Sequence, residues 1–202
     1  MSDSHNQAVA QSAPNGMVSL DSRDFDQAWI RSDLDVSGFT AVIIEPAEIE
    51  FDPAWARSDQ RTGSRLPKDL ADIDGTREEM LKVIDQGIRQ ALKNDGRFRV
   101  VETAGPGVLR LRPRVDDLHI SAIDPMKMVA RSDQYVHSVG HGRAGIEVID
   151  SVSGEVLMQM SDPRETRRYP NLQLANPGLV AADFIEWYQR FSEDVLNQMS
   201  PS

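Results

Sequence analysis

Two histidines have a spacing compatible with metal binding. His137 and His141 lie four residues apart, and His119 precedes them on a predicted strand. On a helix, two histidines at this spacing share a face and can bind a divalent metal ion. Gly140 and Gly142 disfavour a helix here, and no carboxylate that would orient the imidazoles is evident. His137 and His141 are therefore candidates only, the alternative being ordinary loop residues, and we predict no resident metal ion or cofactor.

Three arginines alternate with apolar residues in segment 108–115. Because successive side chains of a strand point to opposite faces, Arg110, Arg112 and Arg114 should share one face of a sheet. Such a row could bind an anion or the acidic surface of a partner. The alternative is a solvated sheet face on which the arginines pair with carboxylates of a neighbouring strand, for example Glu147.

A second basic cluster follows the last predicted strand, between Pro163 and Pro170. It contains Arg164, Arg167 and Arg168, and a tyrosine follows them. An exposed loop of this composition could bind phosphate or a protein partner. The alternative is an ordinary charged connector.

The sequence offers no assembled set of catalytic residues. Asp116 and Asp117 are adjacent, but neighbouring residues of a strand point to opposite faces, so the two cannot act on one substrate atom. There is no recognisable nucleotide-binding loop or nucleophile elbow. We therefore predict a protein without enzymatic activity and assign no catalytic residue. The alternative is a hydrolytic or metal-dependent enzyme that uses the irregular segment 121–142.

A β-hairpin is predicted to carry the arginine-rich segment. Segments 98–102 and 108–115 are rich in apolar residues and flank a Gly-Pro-Gly turn. An earlier strand begins at residue 39 and is apolar on both faces, which is typical of a central strand. Pro46 interrupts this pattern, and the alternation then resumes. Two later strands, joined by a short polar loop, are predicted at 144–149 and 155–160.

Two long helices and one short helix are predicted. The first long helix follows a capping box formed by Thr76 and Glu79, and it ends at the stop signal 94–96. The second begins with a capping Asn and a Pro at 176–177 and carries a row of aromatic residues on one side. A short helix at 22–33 would place Phe25 and Trp29 on one face.

These elements predict one α/β domain of the two-layer α+β type. Its mixed sheet would have about five strands in the order β-α-β-β-β-β-α, with both helices packed on one face. The strands on either side of the first long helix should be parallel. Residues 1–21 are predicted to be a disordered tail because they are polar and lack apolar periodicity. The domain would span residues 22–200.

Composition restricts the partners. A net charge of −10 disfavours non-specific binding to nucleic acid. The absence of cysteine excludes disulfides, thiolate nucleophiles and cysteine-based zinc sites in this sequence. No run approaches the roughly 20 apolar residues of a transmembrane helix, and the start lacks the pattern of a signal peptide.

Three features together resemble one known family. They are the run GPGVLRL at 105–111, the run IDSVSGEVL at 149–157, and a C-terminal helix with Phe184 and Trp187. From about residue 38 to residue 199 the chain resembles a family of bacterial envelope lipoproteins catalogued as domain of unknown function 3313. The resemblance implies a location on the periplasmic side of the cell envelope and implies no catalytic residues. The chain departs from the family in lacking a leader and a lipid-bearing cysteine, so a cytoplasmic location is the alternative.

The residues and the resemblance together predict a non-enzymatic accessory or binding module of the cell envelope. Its partner would be another envelope protein, recognised through the arginine-rich sheet face and the long loops. A carrier of a small ligand is a further alternative.

Overall fold

The structure is a computed structural model that describes residues 16–56, 70–121 and 135–199. These ranges contain ten strands and three helices. In chain order they are β1 (Met17–Ser19), β2 (Gln27–Arg31), β3 (Ala41–Ile44), β4 (Glu48–Phe51), α1 (Pro53–Ala56), α2 (Leu70–Asp95), β5 (Arg99–Val100), β6 (Val108–Ile120), β7 (Tyr135–Val136), β8 (Gly140–Asp150), β9 (Val156–Glu165), β10 (Gln173–Leu174) and α3 (Pro177–Gln198).

Eight strands form one mixed sheet. Its order is β1-β2-β9-β8-β6-β3-β5, and β4 pairs with β6 beyond the end of β3. The strands from β1 to β6 along this path pair antiparallel, whereas β3 pairs in parallel with β6 and β5. The α+β class with a mixed sheet is confirmed. The predicted count of about five strands and the predicted order are wrong, because short strands also form in segments assigned to a tail and a helix.

The predicted hairpin of segments 98–102 and 108–115 is also wrong. β3 lies between β5 and β6, so that Val42 stands opposite Val100 on one side and Leu109 on the other. The carbonyl of Gly107 accepts hydrogen bonds from the amides of Thr40 and Ala41 at 3.0 and 3.3 Å, which ties the turn to the start of β3. The parallel β-α-β unit formed by β3, α2 and β5 is confirmed.

Pro46 divides one edge of β6 between two short strands. β3 pairs with the first part of β6 and β4 with the second, both in parallel, with Glu48 opposite Arg114. The resumption of the strand pattern after Pro46 is confirmed. Proline is tolerated here because it lies between the two paired segments and need not donate to the ladder.

Segment 22–33 does not form the predicted helix. It contains β2, in which Ala28 stands opposite Met160 and Trp29 opposite Gln159 of β9. β1 adds to the outer edge of β2. The folded part therefore begins before residue 22, and the predicted tail is corrected at residues 17–19. Residues 1–15 lie outside the described ranges.

The helix termini follow local signals only in part. α2 begins at Leu70, so Thr76 lies inside the helix and the predicted capping box is wrong. The predicted C-terminal end of α2 at residues 94–96 is confirmed, since Gly96 follows the helix with a φ of +74°. α3 is confirmed throughout: the Asn176 side chain accepts a hydrogen bond from the amide of Leu179 at 2.9 Å.

One core fills the space between the sheet and the helices α2 and α3. Alternate residues of β6 and β8 point into it and are buried, among them Leu111, Val115, Ile146 and Val148. α3 adds its aromatic residues Phe184, Trp187, Tyr188 and Phe191, each at most 2% exposed. The intervening sheet residues point to the opposite side, which α2 and α3 leave uncovered. We call this side the open face.

The two long helices pack closely against each other at Gly87. A Cβ atom at this position would lie 2.9 Å from the carbonyl oxygen of Ile185 and 3.0 Å from the backbone nitrogen of Gln189. Backbone atoms cannot rotate away, so a larger residue would push the helices apart. The close packing accompanies a buried contact with the sheet, in which the Tyr188 hydroxyl donates a hydrogen bond of 2.7 Å to the carbonyl of Gly145. Burial raises the pKa of Tyr188 far above its usual value, so the phenol stays protonated as a donor.

Replacing Gly87 tests this helix contact. We expect Gly87→Ala to lower the free energy of unfolding by about 1–3 kcal/mol, the usual cost of overpacking. Gly75→Ala is the matched control, because it lies in the same helix and its Cβ would meet nothing within 4 Å. That control should raise the stability by about 0.5–1 kcal/mol. Urea denaturation measures both, and a Gly87→Ala variant as stable as the wild type would show that the helices separate at no cost.

Candidate functional site on the open sheet face

The three arginines predicted to share a face all lie on the open face. Arg110, Arg112 and Arg114 alternate along β6 with core residues, and their side chains are 40%, 43% and 44% exposed. We call these three residues the arginine row. They stand next to β8 on one side and to β3 and β4 on the other.

Each arginine of the row has a carboxylate neighbour. Arg112 donates to Glu45 and to Glu147, both at 3.0 Å, and the second of these is the pairing that the sequence suggested. Arg114 pairs with Asp116 at 2.8 Å. These carboxylates raise the pKa values of Arg112 and Arg114, chiefly through the hydrogen bonds that they accept from the guanidinium groups. The row is therefore a charge-compensated surface and not a free positive patch.

Arg110 is the least well paired of the row. Its only ion pair within the described ranges is a contact of 3.4 Å with Glu45, which Arg112 also uses. Its Nε is buried and has no hydrogen-bond partner among the described residues. Arg110 therefore retains donor capacity that the folded chain does not use.

A cavity of about 340 Å³ opens on the same face beside Arg114. Its walls come from β2, β6, β8 and β9. A Cβ at Gly145 would lie 2.8 Å from Cγ of Arg114, so the missing side chain leaves room for the arginine to lie across β8. The side chains that line the cavity include Gln27, Trp29, Arg114, Arg143, Gln159 and Ser161.

Sequence reasoning missed the side of this cavity formed by β2 and β9. The four-residue spacing from Phe25 predicts a helix at Trp29, but the structure places Trp29 in β2. The alternation of Ala28 and Ile30 with Gln27 and Trp29 was the signal for a strand, but it covers only the five residues of β2.

The second basic cluster does not form a free loop. Arg164 belongs to β9, and its guanidinium pairs with Asp162 at 2.8 Å and with Asp194 of α3 at 2.7 Å. Arg167 pairs with Glu186, also of α3. The assignment of the whole cluster to a connector after the strand is corrected for Arg164. Through these pairs with α3, Arg164 and Arg167 lie on the helix side of the sheet, away from the arginine row.

One arginine of this cluster is mostly solvated. The Arg168 side chain is 74% exposed, and its contact with Glu165 is long, at 3.8 Å. At this distance and exposure the pair contributes little to stability.

The histidines proposed for a metal make different contacts. The Nδ1 of His137 lies 3.0 Å from the carbonyl oxygen of Tyr169. His141 belongs to β8 and stacks on His119, with ring centroids 4.8 Å apart, and His119 lies 3.2 Å from the carboxylate of Asp52. Among the described residues no group of three His, Cys, Asp or Glu side chains could hold a metal ion.

The structure describes both Asp116 and Asp117 but only part of segment 121–142, the segment on which an enzymatic alternative would depend. Residues 122–134, most of segment 121–142, lie outside the described ranges. Asp116 pairs with Arg114, whereas Asp117 is exposed, has a φ of +52° and lies at an irregularity in the pairing of β6 with β8. The two carboxylates therefore have different surroundings.

A buried carboxyl group lies beneath the second basic cluster. Asp183 of α3 is 3% exposed. Its Oδ1 accepts a hydrogen bond of 2.7 Å from the hydroxyl of Tyr169, whereas its Oδ2 has no partner in the part of the chain described. Burial raises the pKa of Asp183, and the hydrogen bond from Tyr169 opposes this effect.

A comparison with protein families identifies the chain. The model of a family described as a protein of unknown function, DUF3313, matches residues 20–191, which include the arginine row and the residues named around the cavity. The chain belongs to the DUF3313 family. No curated protein matches it. In the described part of this DUF3313 protein, no helix has the length and apolarity needed to cross a membrane.

Several solved structures are similar to the DUF3313 chain. A Xanthomonas campestris protein of family DUF330 is 9% identical, with a TM-score of 0.42 over 84% of this chain and 90% of that one. A putative neuraminyllactose-binding hemagglutinin homolog from Helicobacter pylori is 13% identical, with a TM-score of 0.37 over 81% and 87%. The PelC dodecamer from Paraburkholderia phytofirmans is 11% identical, with a TM-score of 0.34 over 79% and 89%. With all three scores below 0.5, nothing that these proteins bind or form is transferred to this chain.

The buried Asp183 gives a testable dependence of stability on pH. Because its pKa is raised in the folded state, stability falls as the pH rises from the unfolded pKa of about 3.9 through the higher folded value. Asp183→Asn keeps the acceptor for Tyr169 but removes the charge. We expect the variant to melt above the wild type at neutral pH, with the difference shrinking as the pH falls toward about 4.

Circular dichroism melting at several pH values measures this difference. Asp74→Asn is the control, since Asp74 is an exposed carboxylate of α2. A difference between Asp183→Asn and the wild type that is the same at every pH would contradict a raised pKa.

Proposed function

We propose that this DUF3313 protein is a non-enzymatic binding module of the cell envelope that contacts another envelope protein through its open face. The observation that carries the proposal is the arginine row, in which three partly exposed guanidinium groups stand on a sheet surface that α2 and α3 leave uncovered. Guanidinium groups present several donors in a planar fork and bind carboxylates with defined geometry.

The ion pairs of the row favour binding by fixing the side chains in advance. Arg112 is bridged between Glu45 and Glu147, and Arg114 is fixed against Asp116. An arginine already restrained in the free protein loses less conformational entropy when a partner binds. The Nε of Arg110 is buried, so an acidic side chain of the partner would engage its terminal nitrogens, of which Nη1 makes, among the described residues, only the 3.4 Å contact with Glu45.

The chemistry of the open face favours binding over catalysis. The carboxylates next to the row accept hydrogen bonds from the arginines, so these oxygens already have partners in the free protein. A general acid or base needs an atom that can reach the substrate and exchange a proton with it. Glu45, Glu147 and Asp116 are instead engaged by guanidinium groups.

The envelope location is supported by the sequence resemblance. The runs at 105–111 and 149–157 and the aromatic C-terminal helix are the features shared with envelope proteins of this family. The partner would accordingly be a protein of the same compartment that presents an acidic surface, since the row offers donors and the partner must supply acceptors.

Neutralising the row tests the proposal. The triple variant Arg110→Gln, Arg112→Gln and Arg114→Gln should retain its fold, because partly exposed ion pairs contribute only about 0–1 kcal/mol each. Proteins captured from an envelope extract are identified by mass spectrometry, and the affinity is then measured with the purified partner. We expect the triple variant to bind it at least about tenfold more weakly at low salt, and the difference to shrink at higher salt.

A charge-matched control removes three positive charges elsewhere. Lys82→Gln, Arg89→Gln and Lys93→Gln alter exposed side chains of α2, which packs on the opposite side of the sheet from the open face. This control should bind the partner as the wild type does. Equal losses in both triple variants would attribute the effect to net charge, and unchanged binding by a folded row variant would refute the role of the row.

A further inference from the structure

We propose that the cavity around Trp29 on the open face is a binding site for a neutral saccharide. The inference goes beyond the proposed function, because it concerns a small ligand of a subsite next to the arginine row. It rests on the kinds of side chain that four strands bring together, on the hydrogen-bonding groups that the folded chain leaves unused, and on the balance of charge around the cavity.

Trp29 supplies an aromatic surface outside the core. It stands on β2 opposite Gln159 of β9, whereas its neighbours Ala28 and Ile30 point to the core and pack there. The indole lines the cavity and is only partly buried. A sugar ring has an apolar face of C–H groups that can cover an aromatic ring, and the indole N–H at its edge can donate a hydrogen bond.

Neutral hydrogen-bonding side chains surround the indole. Gln27, Gln159 and Ser161 line the same cavity. In the described ranges their side chains form no hydrogen bond with another residue, so both amides keep two donors and an acceptor, and the hydroxyl keeps a donor and acceptors. This mixture of donors and acceptors suits sugar hydroxyl groups, each of which both donates and accepts.

Each charged side chain of the cavity has a partner of opposite charge. Arg114 pairs with Asp116 at 2.8 Å, and Arg143 pairs with Asp26 at 2.7 Å. Glu147 is engaged by Arg112 from outside the cavity. Among its described residues, the cavity therefore presents no unpaired charge that an ionic ligand would neutralise. A neutral polar ligand can bind without breaking any pair.

The size of the cavity fits this class of ligand. A volume of about 340 Å³ lies at the lower end of the range of small-molecule sites, about 300–1,000 Å³. It opens on the sheet surface, so a longer glycan could extend along the open face from a ring bound at Trp29.

The fluorescence of Trp29 provides the test. The other two tryptophans, Trp55 and Trp187, are 5% and 2% exposed, so quenching by acrylamide reports mainly on Trp29. The probes are glucose, galactose, N-acetylglucosamine and their β1,4-linked disaccharides, with glucuronate and inorganic phosphate as anionic probes. We expect at least one neutral sugar to protect Trp29 from quenching in a saturable manner and the anions not to protect it.

Two variants assign the binding to the cavity. Trp29→Ala should lower the affinity for that sugar at least about tenfold, as measured by calorimetry, because the aromatic contact is lost. Gln159→Ala should also weaken binding, whereas the matched control Gln173→Ala alters a glutamine of β10 that lies outside the cavity and should not. Melting curves verify the fold, and Gln159→Ala carries the test if Trp29→Ala does not fold.

Two outcomes would overturn the inference. In one, no neutral sugar protects Trp29 in the folded protein. In the other, glucuronate or phosphate protects it and the neutral sugars do not, which would indicate an anion site. Neither outcome changes the result of the capture experiment with the arginine-row variant. A failed capture experiment, in turn, does not contradict a positive sugar titration, so each proposal can be refuted independently of the other.

Discussion

The close approach of α2 and α3 at Gly87 is the constraint on which the two-layer structure depends. A glycine there lets the backbone of α3 lie against α2, and the aromatic face of α3 then reaches the sheet as one surface. A single side chain at this crossing would push the two helices apart locally and loosen the packing of the helix layer on the strands. The absence of a side chain at Gly87 is therefore what allows the two helices to pack this closely.

The helix layer and the open face are joined through one residue of β8. The carbonyl of Gly145 accepts the buried hydrogen bond from Tyr188, and the absence of a side chain at Gly145 lets Arg114 lie across the strand on the other side. Gly145 therefore determines both the position of the buried Tyr188 hydroxyl and the shape of the cavity wall next to Arg114. A change in the core at this point would alter the surface directly above it.

Patterns among residues that are close in sequence correctly predicted the features that depend on such neighbours. α3 was predicted from its cap at Asn176 and its aromatic spacing, and the common face of the arginine row from the alternation in β6. The pairing partners could not be found in this way. A turn at 105–107 indicates that the chain reverses or bends, but not that β3 will lie between the flanking strands. The cavity was missed for the same reason, because Trp29 and Gln159 meet only through the register of two distant strands.

The position of β3 between β5 and β6 has a consequence for how the chain folds during synthesis. Both neighbours of β3 come later in the sequence, on the far side of α2. When β3 leaves the ribosome, neither of its edges has a partner, and no nearby hairpin can supply one. The parallel part of the sheet can form only after α2, β5 and β6 have been made, so its formation has a high entropic cost of loop closure. Until then an apolar strand has two open edges, and folding in a cell must protect that strand from pairing with other chains.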